Sequence, residues 1–78
     1  MGTGNRKIPQ TAEDAQLSER EIEIIKLICQ ELTNKEIASR LFISSRTVDG
    51  HREKILRKIN ARNVTGIVLY AIKHRLIE

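Results

Sequence analysis

The sequence predicts an all-α fold, a compact four-helix domain, on three observations. Apolar residues recur at helical spacing from Leu17 onward, and no run alternates apolar with polar residues as a half-buried strand requires. Three helix-start signals, at Ser18, Thr33 and Ser44, each stand directly before such a periodic run. The chain has 78 residues, 40% hydrophobic and 31% charged, which is globular in composition and too short for a second core.

Residues 1–16 have no apolar periodicity, and Gly2, Gly4 and Pro9 interrupt any regular element. They read as a flexible leader or interdomain linker, with the domain over residues 17–78. The first helix opens on a capping box, in which Ser18 caps free N–H groups and Glu21 reaches back to Ser18. Leu17 and Ile22 flank the cap as a staple. Ile22, Ile25, Ile28, Cys29 and Leu32 fall within about 120° of one another and form the expected buried stripe. Cys29 lies inside that stripe, so a core thiol is the expected role, with no second cysteine for a disulfide.

Thr33 and Glu36 make a second capping box, before a short helix with the apolar residues Ile37, Ala38 and Leu41. Eight residues cannot hold a helix alone, so its neighbours must. Phe42–Ser44 forms a tight turn with Ser44 as the third N-cap. The third helix is expected over Ser45–Ile59, burying Val48, Ile55 and Ile59 with Leu56 at the edge. Asn60–Asn63 links it to a fourth helix over Val64–Leu76.

Two short helices joined by a three-residue turn, the second one basic, make a central helix-turn-helix. Ala38 is small where the two helices approach, and Ile43 and Val48 can lock their crossing. The outer face of the second helix could then enter a major groove wide enough for one α-helix.

Composition narrows the function classes. One Phe, one Tyr and no Trp cannot furnish a stacking platform for single-stranded nucleic acid. One cysteine cannot build a cysteine-based zinc site. There are no paired carboxylates, Gly-rich phosphate loop, metal-ligand spacing or nucleophile–base pair, so no catalytic residue, cofactor or metal is expected and an enzyme is the poorest reading. No stretch approaches the about 18 apolar residues of a membrane span, and no hydrophobic signal segment is seen, which points to the cytoplasm and away from membranes.

The net charge of +4 is unevenly placed. Residues 1–39 carry five basic and seven acidic side chains, whereas residues 40–78 carry nine basic and three acidic. Such clustering suits a polyanion partner and is equally the pattern of a solvated basic face. With Thr47 as origin on the third helix, Val48, Ile55 and Ile59 lie near about 80–120°. Arg46, Gly50, Glu53, Lys54 and Arg57 lie opposite, near about 240–340°. His51 and Lys58 line one flank with Thr47, and Asp49 lies on the other.

Gly50 costs about 1 kcal/mol in a helix interior, which close approach to base edges or a thymine methyl would justify. Asp49 and Glu53 would accept from cytosine amino groups, or form helical ion pairs at Glu53–Arg57 spacing. Arg46 could reach a guanine or a phosphate. Lys54, Arg57 and Lys58 suit phosphate neutralisation, which sets position and not sequence. His51 fits either packing at the core edge or a phosphate contact.

These residues carry a family resemblance. The stretch Leu17–Glu78 resembles the LuxR-type helix-turn-helix domain at the C-terminus of NarL/FixJ-class response regulators and quorum-sensing regulators. The matching landmarks are LSERE (Leu17–Glu21), TNKEIASRL (Thr33–Leu41), ISSRTVDGHREKILRKI (Ile43–Ile59), AR (Ala61–Arg62) and YAIKHRLI (Tyr70–Ile77). The run Ser44-x-x-Thr-Val-x-x-His-x-x-x-Ile is much more specific than a generic helix-turn-helix.

The resemblance implies a transcription regulator that binds double-stranded promoter DNA as a homodimer through its fourth helix. It implies an upstream receiver domain in the full-length protein, with RNA polymerase a further partner such a regulator could engage. Ser45, Thr47, His51, Lys54, Arg57 and Lys58 become the candidate DNA-backbone contacts, and Arg46, Asp49, Gly50 and Glu53 the base-facing ones. On the fourth helix, Val64, Ile67, Val68 and Ala71 form a core stripe. Leu69, Ile72 and Leu76 form a further apolar set, either a dimer contact or extra core. The family usually has glycine where Glu31 and Arg75 stand, so these two helix ends are expected to close differently.

Two alternatives stay open at this stage: a sigma-factor region that reads promoters through a similar four-helix unit, and a protein-interaction module with a basic face. About four phosphates neutralised per subunit would give a dimer a log–log salt slope near −7.

Overall fold

A computed structural model describes residues 16–77; the leader read over residues 1–16 lies outside it except for Gln16, as does Glu78. Four helices follow one another: α1 (Glu19–Cys29), α2 (Asn34–Leu41), α3 (Ser45–Lys58) and α4 (Val64–Lys73). The described residues contain no strand.

The first three helix starts are those the sequence signals mark, and the fourth is capped by Asn63, which the sequence reading leaves in the connecting loop. The Ser18 side chain accepts from the Glu21 N–H at 3.0 Å, and Glu21 Oε1 accepts from the Ser18 N–H at 2.9 Å. Thr33 and Glu36 repeat the exchange at 3.1 and 2.7 Å. Ser44 caps α3 by accepting from the Thr47 N–H at 3.0 Å, and Asn63 caps α4 through the Gly66 N–H at 3.2 Å. Each cap satisfies a donor that the first helical turn leaves without an intrahelical partner.

The helix ends share one solution. Glu31, Phe42, Asn60 and Arg75, one after each helix, adopt left-handed backbone with φ between 58° and 67°. The next residue then bonds back to a carbonyl in the last helical turn: Leu32 to Leu27, Ile43 to Ala38, Ala61 to Leu56 and Leu76 to Ala71, at 2.8–3.3 Å. This turns the chain back over the helix it has just left. None of the four is glycine, and a side chain in that conformation costs on the order of 1 kcal/mol; asparagine at position 60 tolerates it best. The expectation that Glu31 and Arg75 close their helices differently is therefore wrong, because both take up the left-handed geometry at that cost. The same closure ends α4 at Lys73, three residues short of the expected Leu76, and folds Leu76 and Ile77 against the core.

The core sits where α1 meets the other three helices, with α2 packed on α3 and α4 on α1 and α3. Ile24, Ile25, Ile37, Val48, Ile55 and Ile67 are fully buried, and the small Ala38 and Ala71 are buried with them. Contact with three neighbours widens the buried face of α1 beyond the expected stripe. Ile24 and Leu27 are buried, whereas Ile22, Cys29 and Leu32 are half-buried at its margin. Burial pushes the Cys29 thiol up, against thiolate reactivity. Ile59 and Val68 are half-buried and Val64 is exposed, so α3 and α4 bury narrower stripes than expected.

Candidate nucleic-acid interface

The α2–α3 packing holds α3 with one side in the core and the other in solvent. Val48 and Ile55 face inward, and Arg46, Thr47, Asp49, Gly50, Glu53, Lys54, Arg57 and Lys58 are all exposed. Ser45, His51 and Arg52 are half-buried along its margins. A Cβ built on Gly50 meets nothing within 4 Å, so the fold itself places no steric demand for glycine there.

At the N-terminal end of α3 the Ser44 and Thr47 hydroxyls lie 2.9 Å apart in a hydrogen bond, which orients the exposed Thr47 side chain. Further along, His51, Lys54, Arg57 and Lys58 converge with Ser18 and Glu21 of the α1 start around a cleft of about 460 Å³. Four of the expected backbone-contact residues are thus brought together, while Ser45 and Thr47 stand apart at the helix start.

Two site residues have protein partners that the sequence does not reveal. Lys58 Nζ lies 2.8 Å from Glu21 Oε1 and 3.1 Å from the Gln16 carbonyl oxygen. Glu21 is only 3% exposed. Burial pushes its carboxyl up, but the Lys58 ammonium and the Ser18 backbone and hydroxyl donors outweigh that and hold it below the ordinary range. Lys58 thus compensates a buried carboxylate while its side chain stays 36% exposed on the margin of the α3 face. The Asp49 carboxylate accepts a hydrogen bond from the Asn34 side-chain amide on α2. Among the described residues no Glu53–Arg57 ion pair forms, which leaves both side chains free of protein partners.

Asn34 and the Glu21–Lys58 pairing escape sequence reasoning because their partners lie 15 and 37 residues away. The capping box at Glu21 shows its local role alone. An exposed Phe42, 93% accessible in the turn between α2 and α3, also goes beyond the sequence reading, which gives it no role outside that turn.

On α4, Leu69 and Ile72 are 61% and 56% exposed, and Val64 at the helix start is 38% exposed. Leu76 packs half-buried against the core, so of the expected dimer set only Leu69 and Ile72 form a free apolar face. Among the described residues, no group of His, Cys, Asp and Glu is placed to hold a metal, and no helix is long and apolar enough to cross a membrane.

Residues 15–71 match the model of the bacterial regulatory proteins, luxR family. The chain is 44% identical over 62 residues to the oxygen regulatory protein NreC of Staphylococcus carnosus, covering 80% of this chain and 29% of that protein. The NreC protein of Staphylococcus epidermidis matches at the same identity, with 28% of it covered. In structure, the chain is similar to the response regulator ChrA of a heme-sensing two-component system. The TM-score is 0.73 at 43% identity, over 78% of this chain and 30% of that one. The chain thus spans less than a third of the length of the curated relatives it matches.

Proposed function

The chain belongs to the luxR family of bacterial regulatory proteins, and on that premise we propose that it binds duplex promoter DNA sequence-specifically, as the C-terminal output domain of a two-component response regulator. The observation that carries this reading is the outer face of α3. Arg46, Lys54 and Arg57 are exposed around Gly50, whose surroundings are open, and α2 supports the helix from behind. A flat, side-chain-free position between cations suits a helix lying against base edges in a major groove. Arg46, Asp49, Gly50 and Glu53 face the bases. Ser45, Thr47, His51, Lys54 and Arg57 engage the backbone, and Lys58 braces the helix from within the protein.

Two copies pair through α4. Leu69 and Ile72 expose apolar surface that the monomer leaves uncovered, and a partner's α4 removes it from water. Half-sites then lie about one helical turn apart. In the full-length protein a receiver domain precedes this unit and governs its pairing. The similarity to a two-component response regulator over part of that protein supports this arrangement. The family assignment removes the reason for a sigma-region alternative.

With Lys58 internally neutralised, Arg46 on the base-facing side and Lys54 and Arg57 at the backbone leave three exposed cations per subunit to displace phosphate counterions. A dimer that neutralises about six phosphates has a log–log salt slope near about −5. Fluorescence anisotropy on a selected site from low to moderate salt tests this. A slope near zero, or equal affinity for every duplex, contradicts it.

A further inference from the structure

The Asn34–Asp49 hydrogen bond is the one side-chain hydrogen bond between α2 and α3 among the described residues. Asn34 is the first residue of α2, inside the Thr33–Glu36 capping box, so its backbone is fixed by the two bonds of that box. From this anchored position its Nδ2 donates to Asp49 Oδ1. Asp49 Oδ2 has no protein partner among the described residues, and the residue is exposed on the outer side of α3.

Asp49 has an alternative that it does not take. Arg46 and Arg52 lie three residues to either side on α3, at the spacing at which helical ion pairs form. Neither pairs with Asp49 among the described residues. A lone carboxylate on a solvent-facing helix samples several rotamers and pairs transiently with such neighbours. A hydrogen bond to an ionised acceptor from an anchored amide selects one orientation instead. It leaves Arg46 unengaged, and it holds the second carboxylate oxygen available as an acceptor.

We propose that Asn34, a residue of the supporting helix, determines base preference by positioning the Asp49 carboxylate to accept from a cytosine amino group in the major groove. The inference rests on the DNA-binding reading above and adds to it a residue outside α3. In the groove, cytosine presents an amino donor where thymine and guanine present carbonyl acceptors, so a fixed carboxylate favours cytosine and repels those two. Preorganisation supplies the discrimination, because a carboxylate free to swing toward Arg46 can avoid the mismatched acceptor.

The test begins by selecting bound sequences from a random duplex pool with the 78-residue chain. Titrations follow on the selected site and its single-base-pair variants, for wild type, Asn34→Ala, Asp49→Ala and the double variant. Asn34→Asp is included because it keeps the size of the side chain, removes the donor and remains favourable at a helix start. Thermal melts confirm that each variant folds.

The expected result is that Asp49→Ala abolishes preference at one base pair. Asn34→Ala and Asn34→Asp reduce discrimination at that same pair by about three- to tenfold. The double variant matches Asp49→Ala, and the salt slope is unchanged throughout. Uniform weakening on all sequences with a shallower slope for Asn34→Ala makes Asn34 a phosphate contact and overturns the proposal. So does a preference shift in Asp49→Ala that both Asn34 variants lack. If Asp49→Ala changes no preference while binding stays sequence-specific, Asp49 does not read bases and this inference falls while the wider reading stands. Equal binding to every duplex by the wild type overturns both.

Discussion

Gly50→Ala separates what the fold requires from what a ligand requires. Gly50 lies within α3 at negative φ, and an added Cβ meets nothing within 4 Å. The substitution therefore adds no clash and no strain, and it removes the entropic penalty of glycine in a helix interior. The expected gain is about 0.5–1 kcal/mol, or about 3–6 °C in Tm for a domain this size. On DNA the same methyl group occupies the surface that the base edges approach. Intrusion into a packed interface costs about 1–3 kcal/mol, which weakens the selected site about 5- to 150-fold. Non-specific binding, which depends on phosphates, changes little. The assay is a thermal melt paired with anisotropy titrations on selected and scrambled duplexes. A more stable variant that binds the selected site as tightly as wild type would falsify the placement of Gly50 at the groove. A less stable variant would refute the open surroundings of this residue.

The remaining expectations concern the fold around the site. Glu31→Gly and Arg75→Gly each relieve a left-handed side chain and should raise stability by up to about 1 kcal/mol in urea denaturation, with DNA affinity unchanged. Gly66→Ala should lower stability by about 1 kcal/mol despite the better helix propensity. Its Cβ would lie 2.7 Å from the Ala61 Cβ, where the loop crosses the first turn of α4. Lys58→Met strands the buried Glu21 carboxylate and should cost about 1–2 kcal/mol, less than a fully buried pair because solvent screens the 36% exposed Lys58 side chain. Because Glu21 has a lowered pKa in the folded state, the stability it confers is present at neutral pH. That stability is lost as pH falls below the ordinary glutamate value of about 4.3 and through the depressed folded value. The stability difference between wild type and Glu21→Gln should accordingly shrink from pH 7 to pH 3.

Local signals in the chain are read well because their physics is local. Ser18 with Glu21, Thr33 with Glu36, and Ser44 with Thr47 are all three residues apart, and each cap forms where the sequence marks it. The periodicity of α3 likewise separates Val48 and Ile55 from the exposed cationic face. Helix ends are harder to read, since left-handed closure normally advertises itself as glycine. Here Glu31, Phe42, Asn60 and Arg75 fill those positions, so the end of α4 is overestimated by three residues.

The site is legible as a surface and not as a set of electrostatic commitments. Lys58 and Arg57 are adjacent basic residues in the sequence. Only the three-dimensional packing of α1 on α3 shows that one compensates Glu21 while the other faces solvent. The helical angle puts Asp49 on a flank of α3 and only the family resemblance makes it base-facing, while the α2 residue that holds its carboxylate becomes visible only across the turn.

Selection from a random duplex pool tests the central claim most directly, because it reports sequence preference, symmetry and spacing together. A domain that places α3 in a major groove and pairs through α4 should enrich two inverted half-sites about one helical turn apart, and Leu69→Asp with Ile72→Asp should reduce the enriched motif to a single half-site. A pool that emerges unenriched, with binding set by charge alone, would contradict the assignment of α3 as a reading helix.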